Sequence, residues 1–355
     1  MLRFLTAGES HGKSLTAIIE GLPAGLKIDF DFINQELARR QMGYGRGPRM
    51  KLEKDTVEVT AGVRCGKTLG SPVVLTVPNL DWLNWEEKVK ITRPRPGHAD
   101  FAGFVKYRHD DIRNVLERSS ARETAVRVAA GALCKLFLKE FGIDVSSRIF
   151  EVGGIEAKGA GKAIEAKIDE AVKNGDSLGG IFEVLVVNPP IGLGSYVHWD
   201  RRLDGKLSQA IMSIPAIKGV EIGLGFEAGR KFGSEVHDEI FYGGMAGEGK
   251  YYRKSNNAGG IEGGITNGET IIIRAAMKPI PTLKKPLSSI DMKTKETVAA
   301  HYERSDICAV HAAGVIGEAM TAIVITDAFL EKFGGDSMEE INAGFSSYQN
   351  YVKGL

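Results

Sequence analysis

Cysteine is scarce, proline is sparse and net charge is almost absent, and each shortage removes a class of protein. The three cysteines, Cys65, Cys134 and Cys308, are odd in number and far apart. They build no disulfide framework and match no metal-ligand spacing, so no metal is expected. A reducing, cytoplasmic setting is the expected location. A net charge of +1 creates no global field that would recruit nucleic acid or an anionic membrane. The first ten residues lack the long apolar core of a signal peptide, and no stretch approaches the roughly 18 apolar residues that span a bilayer.

Glycine is abundant, at 44 of 355 residues, while proline numbers only 12. That imbalance reads as tight turns and backbone lying close to a ligand rather than as linker. No low-complexity segment marks a boundary, so residues 1–355 are expected to form a single large domain. Short runs rich in Val, Ile, Leu and Thr predict strands over Arg3–Ala7, Thr56–Val63, Ser71–Val77, Gly180–Val187 and Thr270–Ala276. Helices are expected over Asp31–Gln41, Ser120–Phe141, Ala163–Lys173, Arg202–Ser213 and Ala309–Phe333. The second and last of these are apolar nearly all round, as buried helices are. Strands and helices do not alternate regularly, so the class is α+β, with sheets outside and helices within.

Four segments carry chemistry. Gly8-Glu9-Ser10-His11-Gly12 follows a strand directly, and His11 there could act as acid or base. The spacing fits Gly-x-Ser-x-Gly, but the α/β-hydrolase order that a nucleophile elbow needs is missing; a plain turn with an exposed histidine also fits. Arg39, Arg40, Arg46 and Arg49 fall within eleven residues, around three alternating glycines, and no acid lies between Leu37 and Leu52. Such a loop suits phosphate and carboxylate recognition; a solvated basic loop or an RNA-binding edge remains open. Arg93-Pro94-Arg95-Pro96-Gly97-His98-Ala99-Asp100 sets His98 on a stiff loop, with Asp100 placed to orient the ring if it reaches. Arg304-Ser305-Asp306 flanks the entry to the last long helix. Ser120-Ala121-Arg122-Glu123 fits a capping box, which would set Arg118-Ser119-Ser120 at a helix N-terminus as a phosphate cup; a simply capped helix fits as well. Gly66-Lys67-Thr68 ends like a Walker A loop, but Ala61 stands where that motif needs glycine.

Together and in this order, these segments resemble the chorismate synthase family. The resemblance rests on Gly8–Gly12 with Glu20-Gly21-Leu22-Pro23, on Glu117–Thr124, on Arg304–Val310, and on Arg95–Asp100 and His198-Trp199-Asp200, and it runs from Arg3 to about Tyr348. It implies helices sandwiched between antiparallel sheets, a homotetramer, and an anti 1,4-elimination of phosphate and a proton from 5-enolpyruvylshikimate 3-phosphate that needs reduced FMN. By the same resemblance His11 protonates the leaving phosphate and His98 protonates the flavin near N1. Asp306, with Ser10, assists removal of the ring proton. Arg40, Arg46 and Arg49 hold substrate or NADP anions. Flavin contacts fall on Arg118, Ser119, Ser120, Pro215, Ala216, Gly263, Lys278, Pro279, Ile280, Pro281, Thr282 and Arg304, with Gly260–Gly264 and Gly268 letting backbone approach the ring. Many relatives carry Asn where Pro215 stands, which removes a side-chain contact there. Whether NADPH or an external flavin reductase supplies the electrons stays open, with the external source favoured because no reductase segment is present. A different flavin or nucleotide enzyme, or an RNA-binding protein, are the competing classes; near-neutral charge and the lack of an aromatic stacking stripe count against the last.

Overall fold

The computed structural model describes residues 1–47, 53–80, 82, 90–243 and 251–355. Its first sheet has four antiparallel strands in the spatial order Arg3–Ala7, Ser14–Glu20, Val73–Pro78, Glu58–Ala61. Its second has five, in the order Ile217–Ile222, Ile271–Met277, Gly180–Val187, Asp144–Val152, Ile155–Glu156. In both sheets alternate side chains turn inward, as the two-residue period of a strand requires. Leu15, Ala17 and Ile19 are buried while Ile18 is exposed, and Phe182, Val184 and Val186 are buried on the second sheet.

Between the sheets lie two long helices. Thr124–Lys139 packs on the first sheet, Val310–Phe333 packs on the second, and the two pack on each other. Phe30–Gln41 and Leu203–Met212 complete the inner layer. The sequence-predicted sandwich is therefore present, with one continuous hydrophobic core running through it.

Close approach of the long helices is set by glycine. A Cβ added at Gly131 would lie 2.3 Å from Ala319 Cβ and 2.4 Å from its Cα. Val310–Phe333 is long and apolar enough, by length and composition, to cross a membrane, which corrects the expectation that no stretch comes near it. Its most apolar window is 89% buried within the protein, so it is a core helix. It also carries Glu318, fully buried, whose carboxylate accepts from Arg39, Lys135 and Ser147. Lys135 and Arg39 also donate to Glu36. A charge set this deep persists only when paired and hydrogen-bonded throughout.

The strands Ser14–Glu20, Asp144–Val152 and Ile217–Ile222 were not expected, nor were several of two or three residues such as Ile155–Glu156. The helices Asp100–Tyr107, Arg113–Ser119 and Met338–Lys353 were not expected either. The expected Thr56–Val63 strand is shorter, at Glu58–Ala61, and the helix expected from Ser120 begins as α-helix at Thr124.

Candidate active site

The Gly8–Gly12 segment is the connection of the first hairpin, between strands that pair with Ala7 opposite Thr16. Gly8 has φ +111, and a Cβ there would lie 2.5 Å from Ser14 O, so only glycine makes this turn. Asn79 Nδ2 donates to the carbonyls of Glu9 and Gly12. The turn then docks on the short Arg113–Ser119 helix through one residue, Glu117. Ser10 N donates to Glu117 O (2.9 Å), His11 N donates to Glu117 Oε2 (2.8 Å), and His11 Nδ1 lies 2.9 Å from Glu117 Oε1. Ser10 is buried, the Glu117 side chain is 5% exposed and that of His11 is 16% exposed. Sequence reasoning quoted Glu117 only inside a longer motif and gave it no role. No local signal joins residues 106 positions apart.

The phosphate cup expected at Arg118-Ser119-Ser120 is differently built. Arg118 and Ser119 end the Arg113–Ser119 helix instead of preceding the next one, and Ser119 Oγ donates back to Val115 O. Arg118 is exposed and reaches back along the first strand, donating to Thr6 O, Thr6 Oγ1 and Gly8 O. Only Ser120 caps, and it caps a single 3-10 turn, Ala121–Glu123, by accepting from Arg122 N at 3.3 Å. Glu123 pairs with Arg127 rather than returning to Ser120, so the expected capping box is absent.

The arginine cluster is dispersed by acids from elsewhere in the chain, which corrects its reading as an un-neutralised loop. Arg39 pairs with Glu36 and Glu318. Arg40 is buried and pairs with Asp55, which also binds Arg122. Burial would raise the Asp55 pKa, but the two guanidiniums outweigh it and hold that pKa below the ordinary value. Arg46 alone of the described three turns to the loop that carries Asp306. Its Nη1 lies 3.2 Å from Asp306 Oδ2, and Gly47 N donates to Asp306 Oδ1. Asp306 thus engages Arg46 rather than its sequence neighbour Arg304, which is exposed. Arg49 lies outside the described residues.

His98 is oriented as its loop suggested, for Asp100 does reach it. His98 Nδ1 is hydrogen-bonded to Asp100 Oδ1. Arg95 clamps the same carboxylate, from its backbone N at 3.0 Å and its Nε at 2.9 Å, and sends Nη1 to Thr282 Oγ1. Burial of Asp100 would raise its pKa, but the bonds from His98 and Arg95 prevail and hold it well below the usual carboxylate range. Arg95 is a second residue to which sequence reasoning gave no role.

The proline-bearing segment Lys278–Thr282 closes this side. Lys278 Nζ donates to Gly97 O and Lys278 N to Ala216 O. Ile280 O accepts from Ser177 and Thr282 O from Ser305; Pro279 is exposed and Pro281 half-buried. Partial burial, with Lys218 nearby, lowers the Lys278 pKa. Ala216, next to half-buried Pro215, is held at φ +70, a left-handed conformation rare for alanine and a place where strain is stored. Among the expected glycine contacts, Gly263 alone faces open space. A Cβ at Gly260 would meet Thr270 O, at Gly264 Arg202, and at Gly268 Ile191, so those three serve the protein's own packing.

A run of charged groups extends from the first histidine toward the second, its last step, from Glu303 to Arg95, being electrostatic rather than a contact. Glu117 lies 4.0 Å from Arg113 Nη1, and the same nitrogen lies 3.5 Å from Glu303. His301 is the largest influence on Glu303, and with Arg113 and Arg95 it draws that carboxyl down to about 2 against opposing burial. Arg95 in turn holds Asp100 and His98. Arg113 Nε is buried without a hydrogen-bond partner among the described residues, while His301 Nε2 lies 3.5 Å from Glu303 Oε1. The orphaned donor on the Arg113 guanidinium, the open backbone at Gly263 and the partly desolvated Lys278 fit a large anionic, hydrogen-bonding ligand such as a flavin nucleotide. His198 and Asp200 form a third pair, but on the exposed surface. Among the described residues no group of three or more His, Cys, Asp or Glu is placed to hold a metal ion.

An α+β sandwich whose loops gather paired histidines and guanidiniums describes an enzyme for a phosphorylated, acidic small molecule. Comparison with known proteins narrows the class. The family model described as chorismate synthase matches residues 2–330. A chorismate synthase of Thermoanaerobacter pseudethanolicus is 58% identical over 354 residues, covering 99% of each chain. One of Geobacter sulfurreducens is 55% identical over 394 residues, covering 99% of this chain and all of its own length. A solved structure titled as the crystal structure of chorismate synthase superposes with a TM-score of 0.82 at 48% identity, covering 100% of this chain and 99% of that one. The chain belongs to the chorismate synthase family and is a lyase with that activity, a step in aromatic amino acid biosynthesis. The family is generally flavin-dependent.

Proposed function

We propose that this chain, acting as one domain over residues 1–355, eliminates phosphate and a proton in the anti 1,4 sense from 5-enolpyruvylshikimate 3-phosphate with reduced FMN bound. The observation that carries the reading is that His11 and His98 each hold Nδ1 on a buried carboxylate, with Arg113 beside the first and Arg95 and Lys278 beside the loop of the second. Reduced FMN, when bound, supplies the electron density that weakens the allylic C–O bond. Arg118, Ser119, Ser120, Pro215, Ala216, Gly263, Lys278–Thr282 and Arg304 would hold it.

Phosphate is a poor leaving group, and His11 donates a proton to its departing oxygen. His98 holds a proton toward N1 of the cofactor. Asp306, with Ser10, assists loss of the ring proton, and Arg46 with Arg49 neutralises the substrate's phosphate and carboxylates. Arg40, already taken by Asp55, supports that loop from behind. Electrons come from an external reductant rather than from NADPH oxidised by this chain, and the enzyme works in the cytoplasm. A homotetramer is supported by large apolar side chains left on the surface, among them Tyr196, Trp199, Phe226, Phe232 and Tyr242.

The test is anaerobic turnover with photoreduced FMN, following chorismate absorbance and released phosphate together. Equal amounts of both, only with reduced flavin, are expected; phosphate without chorismate, or turnover with oxidised flavin, would overturn the reading.

A further inference from the structure

The geometry points to Glu117 as the positioning residue of His11, fixing which ring nitrogen of that histidine carries the proton and which is left for the substrate. The inference rests on the acid role proposed for His11 and adds a residue to it. Three separate bonds converge on Glu117. Its backbone carbonyl takes Ser10 N, one carboxylate oxygen takes His11 N, and the other lies 2.9 Å from His11 Nδ1. The backbone bonds fix the loop, and the third fixes the ring.

A carboxylate at that distance accepts, so Nδ1 must carry hydrogen and Nε2 is the nitrogen free to exchange a proton with a ligand. The same contact stabilises the ring when it is charged, which is the form an acid must take before it donates. Arg113, 4.0 Å from the Glu117 carboxylate, keeps that carboxylate in turn, and Glu303 sits on the far side of Arg113. The side chains are 16% and 5% exposed, so water competes little for the bond.

A purely structural anchor predicts something different. It would lose the loop's position together with stability and ligand affinity. A positioning residue loses turnover through His11 alone. Glu117→Gln keeps the shape and a neutral acceptor but removes the charge. Its kcat is expected to fall by at least about tenfold, with KM for the phosphorylated substrate and FMN affinity within about twofold, a part of what general acid catalysis contributes. Added to His11→Ala, Glu117→Gln should slow the enzyme no further. An equal fractional loss in the presence and absence of His11 would overturn the inference, as would an unchanged kcat.

A second measurement needs no turnover and no change at Glu117. Ring 15N spectra of the wild-type FMN-bound enzyme, with His11 assigned by its loss in His11→Ala, should show neutral His11 protonated on Nδ1. Protonation on Nε2 would refute the positioning role. Because this readout is independent of the reaction, failure of the wild-type enzyme to form chorismate would sink the proposed function while leaving the Glu117 contact decided by the spectrum.

Discussion

His98 and Asp100 stand two residues apart on one loop, whereas His11 and Glu117 are brought together from 106 positions apart by the docking of a hairpin on a helix. Both histidines end with Nδ1 on a buried carboxylate, but they lean on different amounts of structure. Asp100 is shared with Arg95, which continues to Thr282, so the local pair belongs to a cage of buried charge. Glu117 takes the His11 ring and two backbone N–H groups of its turn, and has Arg113 at longer range. A pair close in sequence can thus share its carboxylate with a buried guanidinium, while a pair distant in sequence holds a turn against a helix. In the first the carboxylate should matter to folding as well as to chemistry.

The sharpest way to break that contrast is at the rings. His11→Ala and His98→Ala should each fold normally by thermal melt yet lose about 10²- to 10⁴-fold in turnover, the usual share of a general acid or base; wild-type rates in both would remove the assigned roles. Asp100→Asn should separate the two pairs. It leaves the Arg95 guanidinium buried beside a neutral group, and breaking such a pair costs about 3–5 kcal/mol, readable as a lower urea midpoint. A midpoint unchanged by Asp100→Asn would mean the cage does not support the fold. Arg46→Ala should weaken substrate binding by about tenfold or more, as loss of a charged hydrogen bond implies, with kcat changed less; isothermal titration that finds normal affinity would take Arg46 out of the site.

The smallest effect concerns acid. Glu303 is held at about 2, from an ordinary 4.5, by His301, Arg113 and Arg95. A depressed carboxyl contributes stability that is complete above its unfolded value and is lost as pH falls through its folded value. Stability should therefore decline as pH drops from about 4.5 toward 2, with Asp100 adding to the decline, and Glu303→Gln should flatten it. Urea melts across that window that show the same slope for both proteins would contradict the linkage.

Much of the architecture could be read from local pattern. Buried strands such as Gly180–Val187, and helices apolar on every side such as Val310–Phe333, announce themselves in a single sequence. Asp144–Val152 does not, because its middle is Ser-Ser-Arg and its pairing comes from Gly180–Val187 beside it. The site was legible where its parts are neighbours in the chain, as with His98 and Asp100. It was misread where partners arrive from afar. Counting acids between Leu37 and Leu52 missed Asp55, Asp306 and Glu318, which between them take Arg40, Arg46 and Arg39. The order Arg118-Ser119-Ser120 looked like one helix start because a helix ending at Ser119 and a turn beginning at Ala121 leave no gap in composition.

The backbone-to-backbone touch of Gly131 and Ala319 reaches beyond the core. His11 hangs from the first sheet, and Lys278 to Thr282 leave the end of the second. With only the Ala319 methyl between the two central helices at their crossing, there is no soft spacer that could compress or swell. The gap between the two halves of the site is consequently gauged by a glycine and an alanine far from any reacting group, and a single extra methyl at that crossing would reach the chemistry by widening it.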